Sequence, residues 1–364
     1  MSLNIAFQMD HIETLSISGD TTFALCLEAQ KRGHKIFHYT PDQLTYKNGK
    51  VTSLIEPLKV MDDEVKHFNL GDPFETDFID IDFVLMRQEP PFNMHYITYT
   101  HILEHLPENV RVINNPASVR NAPEKLLVTF FRDLMPETLI SLNADSVLKF
   151  QKIHKDIVLK PLYGKGGEGI IRLQENEDIV EEVKNFIKDQ DEPIMVQPFL
   201  PEVKYGDKRI IILDGEPVGC LNRIPTKGEF RSNLGVGGIP KLSELSESDI
   251  KICDAIKPTL KEMNLVFVGI DVIGKFLTEI NVTCPTGVRQ IKNLGGPDIP
   301  EMFWRYAEGL YWFYRPRSQA AIAARLIISE TLDPVGIICI GFDSPTSIGP
   351  TKLDPPSSWS NLVE

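Results

Sequence analysis

The first forty residues follow a strand–helix–strand pattern, which constrains the fold more than any other feature of the chain. The short apolar run Asn4–Met9 predicts a strand, and Thr22–Arg32 has the spacing of a helix that Gly33 would end. Lys35–Tyr39 alternates like a second strand. Such units are usually part of an open parallel sheet, so we expect the chain to begin with an α/β domain.

Two later segments extend this predicted sheet. Asp82–Met86 reads as a strand that ends at Arg87, and Arg111–Asn114 reads as another strand. The turn-rich residues that follow, 115–118, close the pattern. We therefore predict one domain over residues 1–122.

The second half of the chain mixes strands and helices without strict alternation, which is typical of an α+β domain. Asp214-Gly215 is a strong hairpin signal between two of its strands. The predicted strands are Asp156–Lys160, Ile170–Leu173, Ile194–Pro198, Arg209–Leu213, Pro217–Arg223, Val266–Ile273 and Phe276–Val282, and the predicted helices are Asp178–Lys188 and Ser248–Met263. We assign residues 123–310 to this domain. Residues 311–364, with a strand-like run at Val335–Ile340, form an extension of unknown role.

Composition disfavours several classes of protein. The formal net charge is -13, which disfavours nucleic acid and anionic membrane as partners. Five cysteines without a CxxC pair do not suggest a disulfide framework, so a reducing, cytoplasmic compartment is expected. We find no signal peptide and no apolar run of the roughly 18 residues that a membrane span needs.

The loop Gly164–Gly169 contains four glycines in six residues and matches GxGxxG. The dinucleotide-binding version of this motif requires a helix to follow, whereas Ile170–Leu173 reads as a strand. A glycine-rich loop between strands can instead fold over a polyphosphate, because no Cβ keeps its N–H groups away. An ordinary flexible hairpin is the alternative. Lys160, at the end of the preceding strand, and Lys125, at the start of a predicted helix, would add two ammonium groups near the phosphates.

Acidic and amide side chains lie on two neighbouring predicted strands. Glu279 and Asn281 share one strand face, and Asp271 lies on the strand before. A two-residue loop at Gly274-Lys275 would turn Glu279 away from Asp271, whereas a three-residue loop, Gly274–Phe276, would pair the two carboxylates. We predict the three-residue loop. These oxygen donors then suit Mg²⁺, which prefers one or two carboxylates plus substrate phosphates.

Arginines are the third group of candidate site residues. Guanidinium is suited to holding carboxylates and developing oxyanions. Any one of them taken alone could be a surface residue, but together they make an anionic substrate site plausible: Arg87, Arg209, Arg223 and Arg231, the last followed by Asn233 and a glycine cluster.

Taken together, these segments resemble the bacterial type of glutathione synthetase, an ATP-grasp enzyme family. The resemblance runs in order from about residue 3 to about residue 310. It rests on Met86–Phe92, Asn114–Pro116, Glu124–Leu126, Lys160 with the glycine loop, Asp207–Arg209, Asn222–Pro225, Arg231–Leu234 and Glu279–Thr283.

The resemblance implies a fold and a reaction. It implies a preATP-grasp (Rossmann-like) N-terminal domain followed by an ATP-grasp fold, and ATP-driven joining of γ-glutamylcysteine to glycine through an acyl phosphate. It also implies a homo-oligomer. No counterpart of residues 311–364 is recognised.

The resemblance also implies site roles, residue by residue. ATP would be bound by Lys125, Lys160, Gly164, Lys165, Gly166, Gly167, Gln197, Phe199, Leu200 and Asp207. The metal, Mg²⁺ or alternatively Mn²⁺, would be held by Asp271, Glu279 and Asn281. The dipeptide would face Arg87, Arg209, Arg223, Arg231 and Asn233, with Arg209, Arg223 and Arg231 acting on the reacting carboxyl.

Other functions stay open at this point. Another ATP-grasp ligase would share the ATP and metal residues but differ around the arginines. A regulatory protein that binds ATP without catalysis would be indicated by loss of a phosphate lysine or metal ligand, and none is missing.

Overall fold

The computed structural model describes residues 2–175 and 179–314. The predicted strand Val335–Ile340 and nearly all of the extension 311–364 lie outside the described residues. No helix in the described part is long and apolar enough to cross a membrane.

The N-terminal region is built around an eight-stranded sheet. Its strands are β1 Asn4–Gln8, β2 Lys35–Tyr39, β3 Leu44–Lys47, β4 Lys50–Val60, β5 Phe68–Leu70, β6 Phe74–Thr76, β7 Phe83–Met86 and β8 Arg111–Ile113. The order β3-β4-β2-β1-β7-β8 places β2, β1, β7 and β8 parallel to one another, as the opening pattern predicted. The carboxyl ends of these four strands therefore meet at one edge of the sheet.

Four helices accompany this sheet and lead out of it. They are α1 Thr21–Lys31, α2 Met94–Leu103, α3 Pro116–Asn121 and α4 Glu124–Leu127. Helix α1 begins at a side-chain cap, where Asp20 Oδ1 accepts from the Phe23 N–H at 2.6 Å. Asn115 caps α3 in the same way, through the Ser118 N–H at 3.0 Å.

A smaller four-stranded antiparallel sheet follows, in the order β11-β10-β12-β9. Its strands are β9 Leu139–Ser141, β10 Ile157–Pro161, β11 Ile171–Leu173 and β12 Ile194–Pro198. Two helices, α5 Ala144–His154 and α6 Ile179–Lys188, pack on it around buried Val147, Leu159 and Val183.

The third sheet is antiparallel and five-stranded, in the order β15-β14-β13-β16-β17. Its strands are β13 Asp207–Leu213, β14 Glu216–Ile224, β15 Ile239–Leu242, β16 Phe267–Ile273 and β17 Phe276–Asn281. The remaining helices are α7 Glu247–Glu262, α8 Val288–Asn293 and α9 Ile299–Tyr314.

The N-terminal sheet and the five-stranded sheet share a hydrophobic core. One buried cluster contains Phe7 of β1, Ile211 of β13, and Phe303 and Trp304 of α9. The Trp304 indole N–H donates to the Leu25 carbonyl oxygen of α1 at 2.8 Å. The last described helix therefore packs on the first, and one core joins the N-terminal sheet to the sheet that carries the candidate site.

Candidate active site

A row of charged side chains crosses one face of the five-stranded sheet. On β13, Asp207 and Arg209 are two residues apart and so point to the same face. Asp207 pairs with Arg223 of β14, and Arg209 pairs with Asp271 of β16. The row continues to Glu279 of β17, which pairs with Asp271. Strand register thus brings together charges that are far apart in sequence.

Within this row each arginine is paired with a carboxylate. The Arg209 guanidinium donates twice to Asp271, at 2.5 and 2.9 Å, and Arg223 lies 3.0 Å from the same carboxylate. Arg223 also donates to Asp207 Oδ2 at 2.6 Å. Burial opposes ionisation of Asp271, but the two guanidiniums outweigh it and lower the pKa of that carboxyl below its usual range. Asp271 is therefore an ionised group held by both arginines.

The hairpin that pairs Asp271 with Glu279 differs from the expectation in its details. The predicted three-residue loop is wrong, because Ile273 pairs with Phe276 and leaves the two-residue turn Gly274-Lys275. A β-bulge then makes Thr278 an extra residue, which restores the predicted pairing of Asp271 with Glu279. The Thr278 hydroxyl donates to the Asp271 carbonyl oxygen at 3.1 Å, so this extra residue is itself anchored.

The donors expected to hold a metal lie on adjacent strands and suit a hard cation. Glu279 Oε1 lies 3.4 Å from the Lys125 ammonium, and Asn281 donates its Nδ2 to the Gly269 carbonyl oxygen at 3.1 Å. That bond leaves the amide oxygen of Asn281 as its ligand atom. No group of three or more His, Cys, Asp or Glu side chains suited to a metal occurs in the described ranges, so a set of two carboxylates needs the amide as its third donor.

A cavity of about 630 Å³ lies between the two smaller sheets. Apolar residues from both sides line most of it: Val158, Ile170, Phe199, Leu200, Val203, Phe230 and Ile273. Lys160 and Gln197 line its polar wall, where Lys160 donates to Gln197 Oε1 at 2.9 Å. Burial lowers the pKa of the Lys160 ammonium. An apolar slot with a cation beside it suits a flat base joined to phosphates.

Asp207 lines the same cavity with a carboxylate oxygen that has no hydrogen-bond partner in the described part of the chain. Its Oδ2 accepts from Arg223 and from the Ser232 hydroxyl at 3.2 Å, whereas Oδ1 is the unpaired atom. Because an unpartnered buried acceptor is unfavourable, this oxygen fits a hydroxyl donor of a ligand.

A second cavity, of about 1050 Å³, opens beside the first, and Glu279 and Asn233 line both. Its walls carry the glycine loop, Lys125, Arg209, Arg223 and Asn281. Lys125 is buried and donates to the Gly164 carbonyl oxygen at 3.1 Å, which ties α4 to the loop.

Two glycine-rich segments meet over this second cavity. Gly166 and Gly167 have φ of 62° and 82°, which favours glycine, and a Cβ at Gly167 would lie 2.5 Å from Asn233 Oδ1. Arg231 pairs with Glu229 at 2.7 Å and reaches the Gly167 carbonyl oxygen at 3.4 Å. Lys165 forms an ion pair with Glu89 of the N-terminal region. The glycine loop Gly164–Gly169 and residues 229–238 therefore form a roof over the cavity, and its two segments contact each other and Glu89.

Arg87 occupies a different position from the other arginines. It lines neither of these two cavities but is buried, donating to Thr22 Oγ1 at 3.1 Å and to the carbonyl oxygens of Thr283 at 3.4 Å and Pro285 at 3.2 Å. The structure thus brings together the predicted site residues except Arg87, whose guanidinium joins the two halves of the molecule.

Sequence reasoning missed several residues of the site. Glu124 is half-buried beside Lys125 and accepts from the Thr283 hydroxyl at 2.7 Å, and desolvation raises the pKa of its carboxyl. Ser232, Phe230 and Thr278 also line the first cavity. Their positions beside Lys125, Arg231 and Glu279 were the only available signal, because Ser232, Phe230 and Thr278 are uncharged and Glu124 lies in no recognisable pattern of acidic residues.

The fold and this cleft define an ATP-grasp protein. Among solved structures, the chain is similar to the D-cycloserine synthetase DcsG, with a TM-score of 0.60 and 14% identity, covering 84% of this chain and 99% of that one. It is also similar to the ATP-grasp ligase PsnB complexed with a minimal precursor, with a TM-score of 0.58 and 15% identity over 85% and 99% of the two chains. At these identities the likeness establishes the fold, and the predicted fold class is confirmed.

Sequence comparison identifies the family. Residues 3–120 match the N-terminal domain of prokaryotic glutathione synthetase, and residues 124–296 match its ATP-grasp domain. A glutathione synthetase of Mesorhizobium japonicum is 52% identical over 310 residues, covering 85% of this chain and 99% of the relative. That of Brucella melitensis is 49% identical over 85% and 99% of the two chains. The chain belongs to the prokaryotic glutathione synthetase family and is an ATP-dependent ligase.

Proposed function

We propose that the protein joins γ-L-glutamyl-L-cysteine to glycine, with ATP converted to ADP and phosphate, and releases glutathione. The observation that carries this proposal is the junction of the two cavities. The apolar slot and the larger cavity, whose walls carry Arg209 and Arg223, meet at Glu279 and Asn233. A nucleotide in the first cavity would therefore present its terminal phosphate to an acid in the second.

ATP binding is assigned to the walls of the first cavity. Gln197, Phe199 and Leu200, at the end of β12 and just after it, would lie along the adenine, and the unpaired oxygen of Asp207 would accept from a ribose hydroxyl. The phosphates would lie between Lys160 and Lys125. Backbone N–H groups of Gly164, Lys165, Gly166 and Gly167 would close over them.

The donor set fits a divalent cation, and we assign Asp271, Glu279 and Asn281 to Mg²⁺, with Mn²⁺ as an alternative. Such an ion supplies charge compensation on the phosphoryl group that is transferred. The residues of the chain do the rest. Lys125 lies 3.4 Å from Glu279, so the ammonium and the carboxylate are already placed at the junction.

The reaction divides into two steps. The cysteinyl carboxylate attacks the γ-phosphorus of ATP, ADP leaves, and an acyl phosphate forms. The free amine of glycine then attacks the acyl carbon, phosphate leaves with one of the former carboxylate oxygens, and the nitrogen gives up a proton to solvent. Arg209 and Arg223 line the cavity where the oxyanion develops and can donate to it.

The roof has a separate task, which is to exclude water. An acyl phosphate hydrolyses if water reaches it, so the site must close once it forms. Arg231 and Asn233 carry one roof segment and the glycine loop carries the other. We assign both residues to the bound dipeptide, and Arg231 also to the reacting carboxyl.

Arg87 is assigned an indirect role. Its three hydrogen bonds go to Thr22 and to the backbone at Thr283 and Pro285, so we propose that it serves dipeptide binding through the segment that it holds.

The wider context is also proposed. We infer a cytoplasmic homo-oligomer with small-molecule substrates, divided into domains at residues 1–122 and 123–310. Size-exclusion chromatography with light scattering tests the assembly, and a monomer at working concentration would contradict it.

The function is tested by measuring ADP release and glutathione formation with ATP, Mg²⁺, γ-glutamylcysteine and glycine, omitting one substrate at a time. ADP should form only when both acceptors are present, together with an equal amount of glutathione. Lys160→Met should abolish turnover, whereas Lys155→Met on an exposed surface should not change it. ADP release that needs a different acid or amine would replace this proposal with another ATP-grasp ligase activity.

A further inference from the structure

Asn114 inserts a side-chain amide between the two strands that carry the metal donors. It is buried at the end of β8, and its Nδ2 donates to the carbonyl oxygens of Phe267 at 2.9 Å and Val282 at 2.8 Å. Its Oδ1 accepts from the Phe267 N–H at 2.8 Å. One side chain of the N-terminal region therefore satisfies three backbone groups, which are the N–H and the carbonyl of Phe267 in β16 and the carbonyl of Val282 just after β17.

This amide takes the place of a peptide group in the sheet. The pairing of β16 with β17 ends at Gly269 and Asn281, so Phe267 and Val282 lie just beyond the last paired residues. Buried backbone groups at such a point need partners. The Asn114 amide has the same donor and acceptor as a peptide and supplies them at a fixed spacing. It thus sets how far apart the two strands lie where Asn281 leaves the ladder.

Arg87 anchors the same exit from a neighbouring strand. It follows β7, which runs parallel to β8, and it holds the carbonyl oxygens of Thr283 and Pro285. Glu124 accepts from the Thr283 hydroxyl at 2.7 Å. Val282 and Thr283 directly follow the expected ligand Asn281. Both are therefore bonded to side chains that lie outside the five-stranded sheet.

We propose that Asn114 is a positioning residue, which fixes the spacing of β16 and β17 so that Asp271, Glu279 and Asn281 can bind one divalent cation together. This proposal rests on the metal site assigned above. Partners that orient metal ligands typically contribute about 10–100-fold in metal affinity or activity. Asn114 touches no expected ligand, so its effect must pass through the backbone of the two strands.

The neighbouring residue provides a matched control. Asn115 caps α3 through the Ser118 N–H and makes no side-chain bond to β16 or β17 among the described contacts. Asn115→Ala therefore removes the hydrogen bond that caps α3. It should lower the stability of the protein without changing the spacing of β16 and β17. Asn114→Ala removes all three bonds to Phe267 and Val282.

The test is direct binding of Mn²⁺, followed by electron paramagnetic resonance, to each protein saturated with a non-hydrolysable ATP analogue, at a temperature where all variants are folded. Asn114→Ala should weaken Mn²⁺ binding about tenfold or more, and Asn115→Ala should change it less than about twofold. Equal Mn²⁺ affinity in wild type and folded Asn114→Ala would overturn the proposal. So would an equal loss in both variants, because the effect would then follow general destabilisation.

Amide hydrogen exchange gives a second readout. In Asn114→Ala the amides of Phe267 and Asn281 should exchange faster than in wild type, whereas Asn115→Ala should leave them protected. If the alanine variant does not fold, Asn114→Ser decides the matter, because it keeps a small polar side chain at the site but cannot make all three bonds of the amide. Weakened Mn²⁺ binding in Asn114→Ser supports the proposal, and unchanged binding refutes it.

A further variant separates this proposal from the metal assignment. Glu279→Gln should weaken Mn²⁺ binding strongly if Glu279 is a ligand. Normal Mn²⁺ binding in Glu279→Gln would overturn the assignment of the metal site itself. Weak binding in Glu279→Gln with normal binding in Asn114→Ala would remove only the positioning role.

Discussion

The charges of the cleft are held in two different ways, on the five-stranded sheet and on the roof loops. On the sheet, Asp271 is only 2% exposed and is bonded to two arginines. On the roof, the Lys165 side chain is 44% exposed and has the single partner Glu89 among the described ion pairs. The sheet charges are fixed before substrate arrives, whereas the roof charges can exchange one partner for another. The difference separates the groups that define the geometry of the reaction from those that close over it.

The largest expected effect is that of Asp271→Ala. Removing this carboxylate leaves Arg209 and Arg223 buried without it, which should cost about 3–5 kcal/mol of stability and abolish turnover. Urea unfolding of wild type and variant measures the loss. The matched roof variant, Glu229→Ala beside Arg231, should lose about 1 kcal/mol or less. Similar losses in the two variants would break the distinction between sheet and roof.

Glu279→Gln should separate activity from stability. Glu279 lines the junction of the cavities and pairs only with Lys125 among the described ion pairs, and an amide of the same shape still accepts from that ammonium, so the free energy of unfolding should fall clearly less than in Asp271→Ala. Turnover should fall by more than the roughly 10–100-fold that loss of an outer partner of a metal ligand costs. Steady-state kinetics over a range of Mg²⁺ concentrations measures this. Near-normal turnover would mean that the sheet charges are structural alone.

Glu89→Gln should have a small effect, because it removes an exposed partner of a roof lysine. An ion pair of this kind is worth about 0.2–1 kcal/mol, which corresponds to no more than about a fivefold change in kcat/KM for ATP. The difference between variant and wild type should shrink further at high salt. A hundredfold loss of kcat/KM for ATP would instead show that the Lys165–Glu89 pair is held as firmly as the charges of the sheet.

The smallest expected effect lies outside the cleft, at the pair that joins α9 to α1. The hydrogen bond from Arg32 lowers the pKa of Glu308 below its ordinary value of 4.5. In the folded protein this carboxyl therefore stays ionised at pH values at which it begins to be protonated in the unfolded chain. Its contribution to stability is complete above pH 4.5 and is lost as the pH falls through the folded-state pKa. In this acid range the free energy of unfolding should depend less on pH in Glu308→Gln than in wild type. Equal slopes of the free energy of unfolding against pH would contradict a lowered pKa of Glu308.

Sequence predicted the elements of the fold better than their connections. The strand–helix–strand opening and the pairing of Asp271 with Glu279 are confirmed. The hairpin loop was predicted one residue too long, because a bulge at Thr278 gives the same pairing by another route, and alternation alone cannot distinguish the two. The hairpin between β3 and β4 was missed although Asn48 and Gly49, with φ of 50° and 84°, are its usual turn residues.

The candidate site shows the same limit. Charged residues such as Lys160 and Arg209 could be selected by residue type and strand position. Their partners could not, because Arg87 and Asn114 act on backbone groups about 150–200 positions further along the chain. No local pattern encodes such contacts. They follow from the packing of the parallel sheet against the five-stranded sheet, which only the folded chain reveals.

The most direct test of the account is the fate of oxygen from the acid substrate. γ-Glutamylcysteine labelled with ¹⁸O in its cysteinyl carboxyl would be turned over with ATP, Mg²⁺ and glycine, and the released phosphate would be analysed by mass spectrometry. The account predicts one ¹⁸O atom in each phosphate, because the carboxylate attacks the γ-phosphorus and its oxygen leaves with the phosphate. Glutathione formed together with unlabelled phosphate would show that this cleft does not activate the carboxyl by phosphorylation.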